Sequence, residues 1–197
     1  RAEPVDMRIS AGSEPANVRR QNFLRRGRTQ VKVRNVHERV LAAPADEVGA
    51  LLDSLSSSSD RLWPEQWPQM RFDRPLQVGA VGGHGPISYE VEQYTAGRVV
   101  RFRFTGPDGF HGTHRYEVTV LSQGETKLRH VLEMDAQGGA MISWSLAYRP
   151  LHDALIEDSL DRAETSLGSA PARYSRWSWY VRLLRWILRA LGGQNPP

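Results

Sequence analysis

The sequence predicts an α+β fold in which a sheet of antiparallel strands packs on one long helix. Three observations carry this. From Ile87 to Met134 apolar and polar residues alternate with a period of two, broken by turn-forming stretches at Ala96-Gly97 and Ser122 to Glu125, the pattern of half-buried hairpins. From Ala140 to Leu167 the apolar spacing becomes helical. At 197 residues the chain suits one good core with tails rather than two domains.

Taken in order, residues 1–29 have few apolar side chains, no period and many Arg, Glu, Pro and Asn. They read as a poorly ordered basic arm, either a tether or a solvated tail. A strand follows at 31–41, with an alternation too imperfect to say which face carries His37. Pro44 suits the first turn of a helix because its missing N–H would be unpaired there, and Asp46 and Glu47 complement the positive helix end. Val48, Leu51, Leu52 and Leu55 then fall at helical spacing before a loop at Ser56 to Ser59. Between Leu62 and Pro68 two prolines limit any helix to a turn or two, and Trp63 and Trp67 suggest a lid or plug.

In the hairpins, Ile87, Tyr89 and Val91 share a face, as do Val100, Phe102 and Phe104. His114, Tyr116, Val118 and Val120 share another, matched by Leu128, His130, Leu132 and Met134. The helix at 140–167 carries an apolar stripe from Met141, Trp144 and Tyr148 to Leu160 and Leu167, with Pro150 kinking it or starting its straight part. Asp153, Glu157, Asp161 and Glu164 lie opposite that stripe, so a solvated face is expected there rather than a carboxylate pair.

Residues 169–197 interleave Trp177, Tyr180, Leu184, Leu188 and other apolar side chains with Arg173, Arg176, Arg182, Arg185 and Arg189, and contain no acid. On a helix Ser178, Arg182, Arg185 and Arg189 gather in roughly a quarter turn while the apolar residues take most of the rest. The composition matches an interfacial helix, while three arginines inside the apolar run argue against a span. Its wide apolar face needs a partner: the domain itself, a second copy as a homodimer, or an anionic membrane surface.

The net charge of +4 divides unevenly. Residues 1–29 hold seven Arg against three acids, 169–197 five Arg against none, and 30–168 fourteen Lys/Arg against nineteen Asp/Glu. Basic ends on a mildly acidic middle argue against a folded nucleic-acid-binding surface and favour ends near an acidic surface such as lipid headgroups. Zero cysteines exclude disulfides and thiolate metal sites. No apolar signal core is visible before the domain, and an opening at Arg1 suggests a processed or truncated start. The expected location is cytoplasmic, peripheral at the inner membrane surface if the last helix meets lipid. The Ala, Arg, Gly and Pro bias suggests a GC-rich bacterial source.

The run Ala42 to Val48, the hairpin residues Tyr89-Glu90-Val91, Gly97-Arg98 and Phe102-Arg103-Phe104, and the stretch Gly124 to Leu132 before the long helix together resemble the START-related helix-grip superfamily. This superfamily is also described as SRPBCC, polyketide cyclase/dehydrase and lipid-transfer-like proteins. The resemblance covers about residues 31–168. It implies a curved sheet wrapped around the long helix with a cavity between them, and members bind or transform many unrelated apolar molecules. The basic arm and the Trp/Arg helix depart from the family pattern. The expected organisation is a basic arm at 1–29, a helix-grip ligand-binding domain at 30–168 and an amphipathic helix with its tail at 169–197.

Candidate ligand contacts are Trp63, Trp67, Tyr89, Phe102, Phe104, His114, Tyr116, His130, Trp144 and His152. The tryptophans line a cavity or form ordinary aromatic core. His152 and His130 are the candidate acid/base groups, since imidazole titrates near neutrality; the competing reading is a core histidine satisfied by a neighbour. If Val118 pairs with His130, His114 lies about 13 Å away at strand rise, too far for a shared metal. No other His/Asp/Glu triplet at ligand spacing appears, so no metal and no cofactor are expected. The glycines of Gly82-Gly83-His84-Gly85 and His111-Gly112 read as backbone needs rather than a phosphate cradle, as neither precedes a helix.

The leading expectation is binding or carriage of a small hydrophobic, lipid-like or polyketide-like ligand. It needs no catalytic group and suits a chain without a strong catalytic signature. A cyclase or dehydratase using a cavity histidine, with Tyr89 or Tyr116 orienting a carbonyl, is the enzymatic alternative. An interaction module whose cavity is filled by its own side chains is the third.

Overall fold

The computed structural model describes residues 29–171 and 173–191. The basic arm expected at 1–29 therefore lies, except for Thr29, outside the described residues. Among the described residues seven strands are present: β1 (Gln30–Leu41), β2 (Arg71–Phe72), β3 (Val81–His84), β4 (Ile87–Thr95), β5 (Val99–Gly106), β6 (Phe110–Val120) and β7 (Thr126–Gln137). They form one antiparallel sheet in the order β1-β7-β6-β5-β4-β3-β2. Only β1 leaves the meander, crossing to pair with β7. Helix α1 (Ala45–Asp53) follows β1, and α2 (Gly139–Ser143), a π-helical turn (Trp144–Tyr148) and α3 (Arg149–Ser166) follow β7. Helix α4 (Trp179–Leu191) comes last.

Local chemistry accounts for these boundaries. Pro44 sits just before α1 with an extended backbone, and its carbonyl accepts the Val48 N–H at 3.2 Å. Pro150 stands at the start of α3, where its missing N–H does not interrupt the helix, and the π turn precedes it. The sheet and α3 bury their apolar faces on each other. Val48, Leu51 and Leu52 of α1, Val91, Val100, Phe102 and Leu128 of the strands, and Leu155, Ile156 and Leu160 of α3 share one core. Burial of each such side chain contributes roughly 1.5–3 kcal/mol.

The imperfect alternation of β1 now has a cause. One face of this edge strand presents Arg34 and Glu38 to Glu133, Lys127 and Arg129 of β7. The other presents Asn35, His37 and Arg39 to α3. Both faces are polar because both meet charge, so no period-two signal survives.

The same contact corrects the reading of the acidic face of α3. Asp153 and Glu157 hold His37, while Glu157, Asp161 and Glu164 converge on Arg39 at 3.0, 3.1 and 2.6 Å. Asp161 is only 6 % exposed. The carboxylates are not a solvated face, because β1 brings the complementary cations over them.

Candidate functional site

Antiparallel registry builds the site as two rows on the face of the sheet that meets α3. In the first row Tyr116, His130 and His37 stand opposite one another across β6, β7 and β1. In the second, Phe102, His114 and Leu132 do so across β5, β6 and β7. Rows two residues apart share a face, so His114 lies beside His130. His152 descends from α3, its ring 5.0 Å from that of His130 and 5.9 Å from that of His37. The condition under which His114 would lie about 13 Å from His130, Val118 opposite His130, is not met: Val118 pairs with Leu128. The turn closes between Val120 and Thr126, which sets Tyr116 opposite His130 and brings His114 Nδ1 to 3.3 Å from His130 Nε2.

Aromatic rings enclose these histidines. His114 stacks between Phe102 and Phe104 at 4.8 and 5.0 Å and meets the ring of Tyr89 at 4.9 Å. Tyr116 packs edge-on against His130 at 4.7 Å. Its hydroxyl lies 3.0 Å from Ser159 Oγ, which donates to the Leu62 carbonyl; Tyr116 is therefore the donor to Ser159. His114 and His130 are 5 % and 1 % exposed. Burial pushes the pKa of His114, His130 and His152 below 6.5; neighbouring histidines add to the effect, and at His152 Asp153 opposes it without reversing it. All three are neutral at neutral pH. Among the described residues, His114 Nε2, His130 Nδ1 and both ring nitrogens of His152 have no hydrogen-bond partner.

His37 behaves oppositely. Burial alone would lower its pKa, but hydrogen bonds and charge from Asp153 and Glu157 outweigh it and lift the value to about 9. Its Nδ1 is 2.6 Å from Glu157 Oε1 and its Nε2 3.2 Å from Asp153 Oδ1, while Asn35 Nδ2 donates to the same oxygen at 2.8 Å. Burial alone would likewise raise Asp153, yet its imidazole and amide neighbours hold it well below the ordinary carboxylate range. Donor atoms of His37, His152 and Asp153 lie within 4.8 Å of one another. The expectation that no triplet reaches ligand spacing fails here, because β1 and α3 are about 115 residues apart in sequence and adjacent in space.

The structure joins Tyr89, Phe102, Phe104, His114, Tyr116, His130 and His152 into one set of touching rings. Trp144 reaches it through His152 at 5.8 Å. Trp63 reaches it through His84, whose Nδ1 is 3.0 Å from the Tyr89 hydroxyl. Trp67 is elsewhere: its indole and that of Trp177 both donate to Asp158 Oδ2, at 2.7 and 2.8 Å. Sequence reasoning missed His37, His84 and Ser159. A polar residue on an otherwise apolar helix face was the available signal for Ser159. In the space expected to be a hollow, the rings of Phe102, His114, His130 and His152 touch in sequence. A groove of about 640 Å³ lies outside it, along Pro64, Asp158, Arg162, Tyr174, Trp177 and Arg182.

Helix α4 docks beside that groove. Val181 and Arg185 are buried, and the Arg185 guanidinium lies between Trp67 and Trp177, 4.0 and 3.9 Å from the ring centres, while donating to the Gln66 carbonyl. Arg185 at 6 % exposure therefore faces the domain, contrary to its expected place on an outer polar stripe. The two indoles supply a face that a planar cation fills. Trp179 and Trp186, at 75 % and 67 % exposure, point outward with Leu183 and Ile187. Arg182 and Arg189 are also exposed. Among the described residues no helix is long and apolar enough to cross a membrane.

A curved antiparallel sheet closed over a long helix, with a short helix after the first strand, is the helix-grip fold. Solved structures agree. Norcoclaurine synthase from Thalictrum flavum, in a point mutant with a transition-state analogue, superposes with a TM-score of 0.55 at 13% identity, covering 71% of this chain and 97% of that one. The same enzyme with dopamine and hydroxybenzaldehyde gives 0.54 at 12% identity over 86% of this chain and 100% of the other. CalU16 from Micromonospora echinospora gives 0.50 at 14% identity over 84% and 96%. No protein-family model and no curated protein matches the sequence. At these identities the likeness establishes the fold.

Proposed function

We propose that the chain binds a small, mainly apolar molecule carrying a carbonyl or hydroxyl group, held between the sheet and α3 against His114, His130 and His152. The carrying observation is four buried ring nitrogens, without a partner among the described residues, on three neutral histidines. Leaving buried donors and acceptors unpaired costs about 1–3 kcal/mol each, and a ligand with one polar group among its carbons offsets that cost. Norcoclaurine synthase, with the same fold, is solved with dopamine and hydroxybenzaldehyde, which are small aromatic molecules of this chemical kind. Admission requires the interior rings to move. The π turn Trp144–Tyr148, preceded by Gly138-Gly139 with open space where a Cβ would be, is the segment that yields. On this reading residues 30–168 are the binding unit and 169–197 an appended helix.

Titration of the full chain with 2-naphthol, followed by tryptophan fluorescence and native mass spectrometry, tests the reading. Saturable one-to-one uptake that falls at least about tenfold in His130→Leu supports it. Absence of uptake, or uptake indifferent to that change, selects the filled interaction module. The enzymatic alternative, a cyclase or dehydratase, draws on one specific observation: neutral His130 in contact with Tyr116, whose hydroxyl is oriented by Ser159. A carbonyl substrate turned over by the wild type and bound but not turned over by His130→Gln would favour it.

We propose that the outer face of α4 meets an anionic membrane surface. Trp179, Leu183 and Trp186 project from one side of the helix with Arg182 and Arg189 along their flank, an apolar face edged by cations. Sedimentation with phosphatidylglycerol vesicles should pull the protein down at low salt, less so at high salt. Trp186→Ser should weaken this without altering stability beyond about 0.5 kcal/mol. Vesicle-indifferent protein that dimerises through α4 would instead place a second copy there.

A further inference from the structure

We infer that His37, His152 and Asp153 form a binding site for a divalent first-row transition cation at the seam between β1 and α3. The cation site shares His152 with the proposed interior site but not its other contacts: the cation takes Nδ1, and Nε2 remains for an interior ligand. The site is built from two elements far apart in the chain, with His152 and Asp153 adjacent on α3 and His37 facing them from the edge strand.

Geometry comes first. His37 Nε2 lies 3.2 Å and His152 Nδ1 3.8 Å from Asp153 Oδ1, and the three donor atoms fall within 4.8 Å of one another. Zinc-class bonds of about 2.0–2.1 Å in a tetrahedron put neighbouring donors about 3.3 Å apart. One edge of that figure is already in place at 3.2 Å, a second at 3.8 Å must close by about half an ångström, and the third, at most 4.8 Å, by no more than about 1.5 Å. Two imidazoles and one carboxylate are a donor set suited to zinc, cobalt, nickel or iron(II) rather than to calcium or magnesium.

The groups behind the donors point the same way. Glu157 Oε1 sits 2.6 Å from His37 Nδ1, which holds a proton on Nδ1 and points Nε2 toward the site, so that Nε2 becomes the ligand once its own proton is displaced, the carboxylate–histidine–metal arrangement. Asn35 donates to Asp153 Oδ1 at 2.8 Å and orients the carboxylate, while its own Oδ1 is buried without a partner. His152 Nδ1 is buried and unpartnered, since 3.8 Å to Asp153 is too long for a hydrogen bond. A cation gives this nitrogen the partner it lacks. Asp153 is 37 % exposed, which leaves the site reachable from solvent and a coordination position for water. Binding displaces the Nε2 proton of His37 to solvent, and no redox change is involved.

The test uses the full chain, stripped with EDTA and desalted, then titrated with Co²⁺ and Zn²⁺ by calorimetry and by the visible d–d absorption of low-coordinate Co²⁺. One equivalent per chain is expected, with the cobalt spectrum abolished in His152→Ala and in Asp153→Asn. Glu157→Gln, which leaves all three donors in place, should lower affinity by about 10–100-fold. His111→Ala, an exposed position on β6, should leave binding unchanged. Circular dichroism of each variant separates lost ligands from lost fold. Absence of saturation at one equivalent, a spectrum that survives in folded His152→Ala, or one that disappears in folded His111→Ala overturns the site.

Discussion

His37 and His130 stand directly opposite each other on neighbouring strands, yet their surroundings drive them to opposite charge states. On the edge seam two carboxylates of α3 keep His37 protonated to about pH 9. One strand inward, dry aromatic surroundings keep His130 and its neighbour His114 neutral. The same side chain thus does ionic work at the rim and acts as a compact aromatic ring with polar nitrogens at the centre. What decides between the roles is the neighbour supplied by tertiary packing: a carboxylate within hydrogen-bond reach outweighs desolvation, and an aromatic ring does not.

If that contrast is right, the two regions must fail differently. The largest effect is expected at the centre. Phe102 is fully buried and stacks on His114 at 4.8 Å and on Phe72 at 5.8 Å, so Phe102→Ala should cost about 3–5 kcal/mol in urea unfolding, little changed by salt. A cost below about 1 kcal/mol would mean that the rings are loosely held and that the centre is a hollow rather than a packed core. At the rim, Arg39→Met strands Glu157, Asp161 and Glu164 against one another. A smaller loss of about 1.5–3 kcal/mol follows, and it should shrink or shift with added salt because the seam is partly open to solvent. Salt-independence would erase the distinction between the regions.

The smallest effect sharpens the comparison by pH. His114 is held neutral when folded, with its pKa well below 6.5, but takes up a proton when unfolded below about pH 6.5. The unfolded state therefore binds more protons in that range, and stability falls as the pH drops, by about 1.4 kcal/mol per pH unit from this residue. His114→Phe, which keeps a ring between Phe102 and Phe104, should flatten the acid limb of the stability profile by that amount. An unchanged slope would show that His114 is charged in the folded protein.

Helix α4 extends the lesson. The sequence marks an amphipathic helix rich in Trp and Arg, and such a helix forms. Which side docks was not readable, because at 100° per residue Val181 and Leu184 on one side and Trp179, Leu183 and Trp186 on the other are equally apolar. Trp67 and Trp177 settle it by offering Arg185 two ring faces. The inner side closes on the domain and the other is left outward.

The sequence alone determined the class of fold, the antiparallel hairpins, the long helix and the inward face of Tyr89, Phe102, His114, Tyr116 and His130, because period and turn chemistry are local. Only the tertiary structure decided the partners of those side chains. The crossing of β1 to the far edge of the sheet, the two-residue difference in the β6–β7 register and the docking of α3 across the seam turned a strand with no clear face and a row of solvated acids into a charged clasp. Contacts between residues 37 and 153, or 39 and 161, leave no trace in any local window of sequence; they exist because a sheet must bury one face and close its edge against whatever side chains the helix presents there.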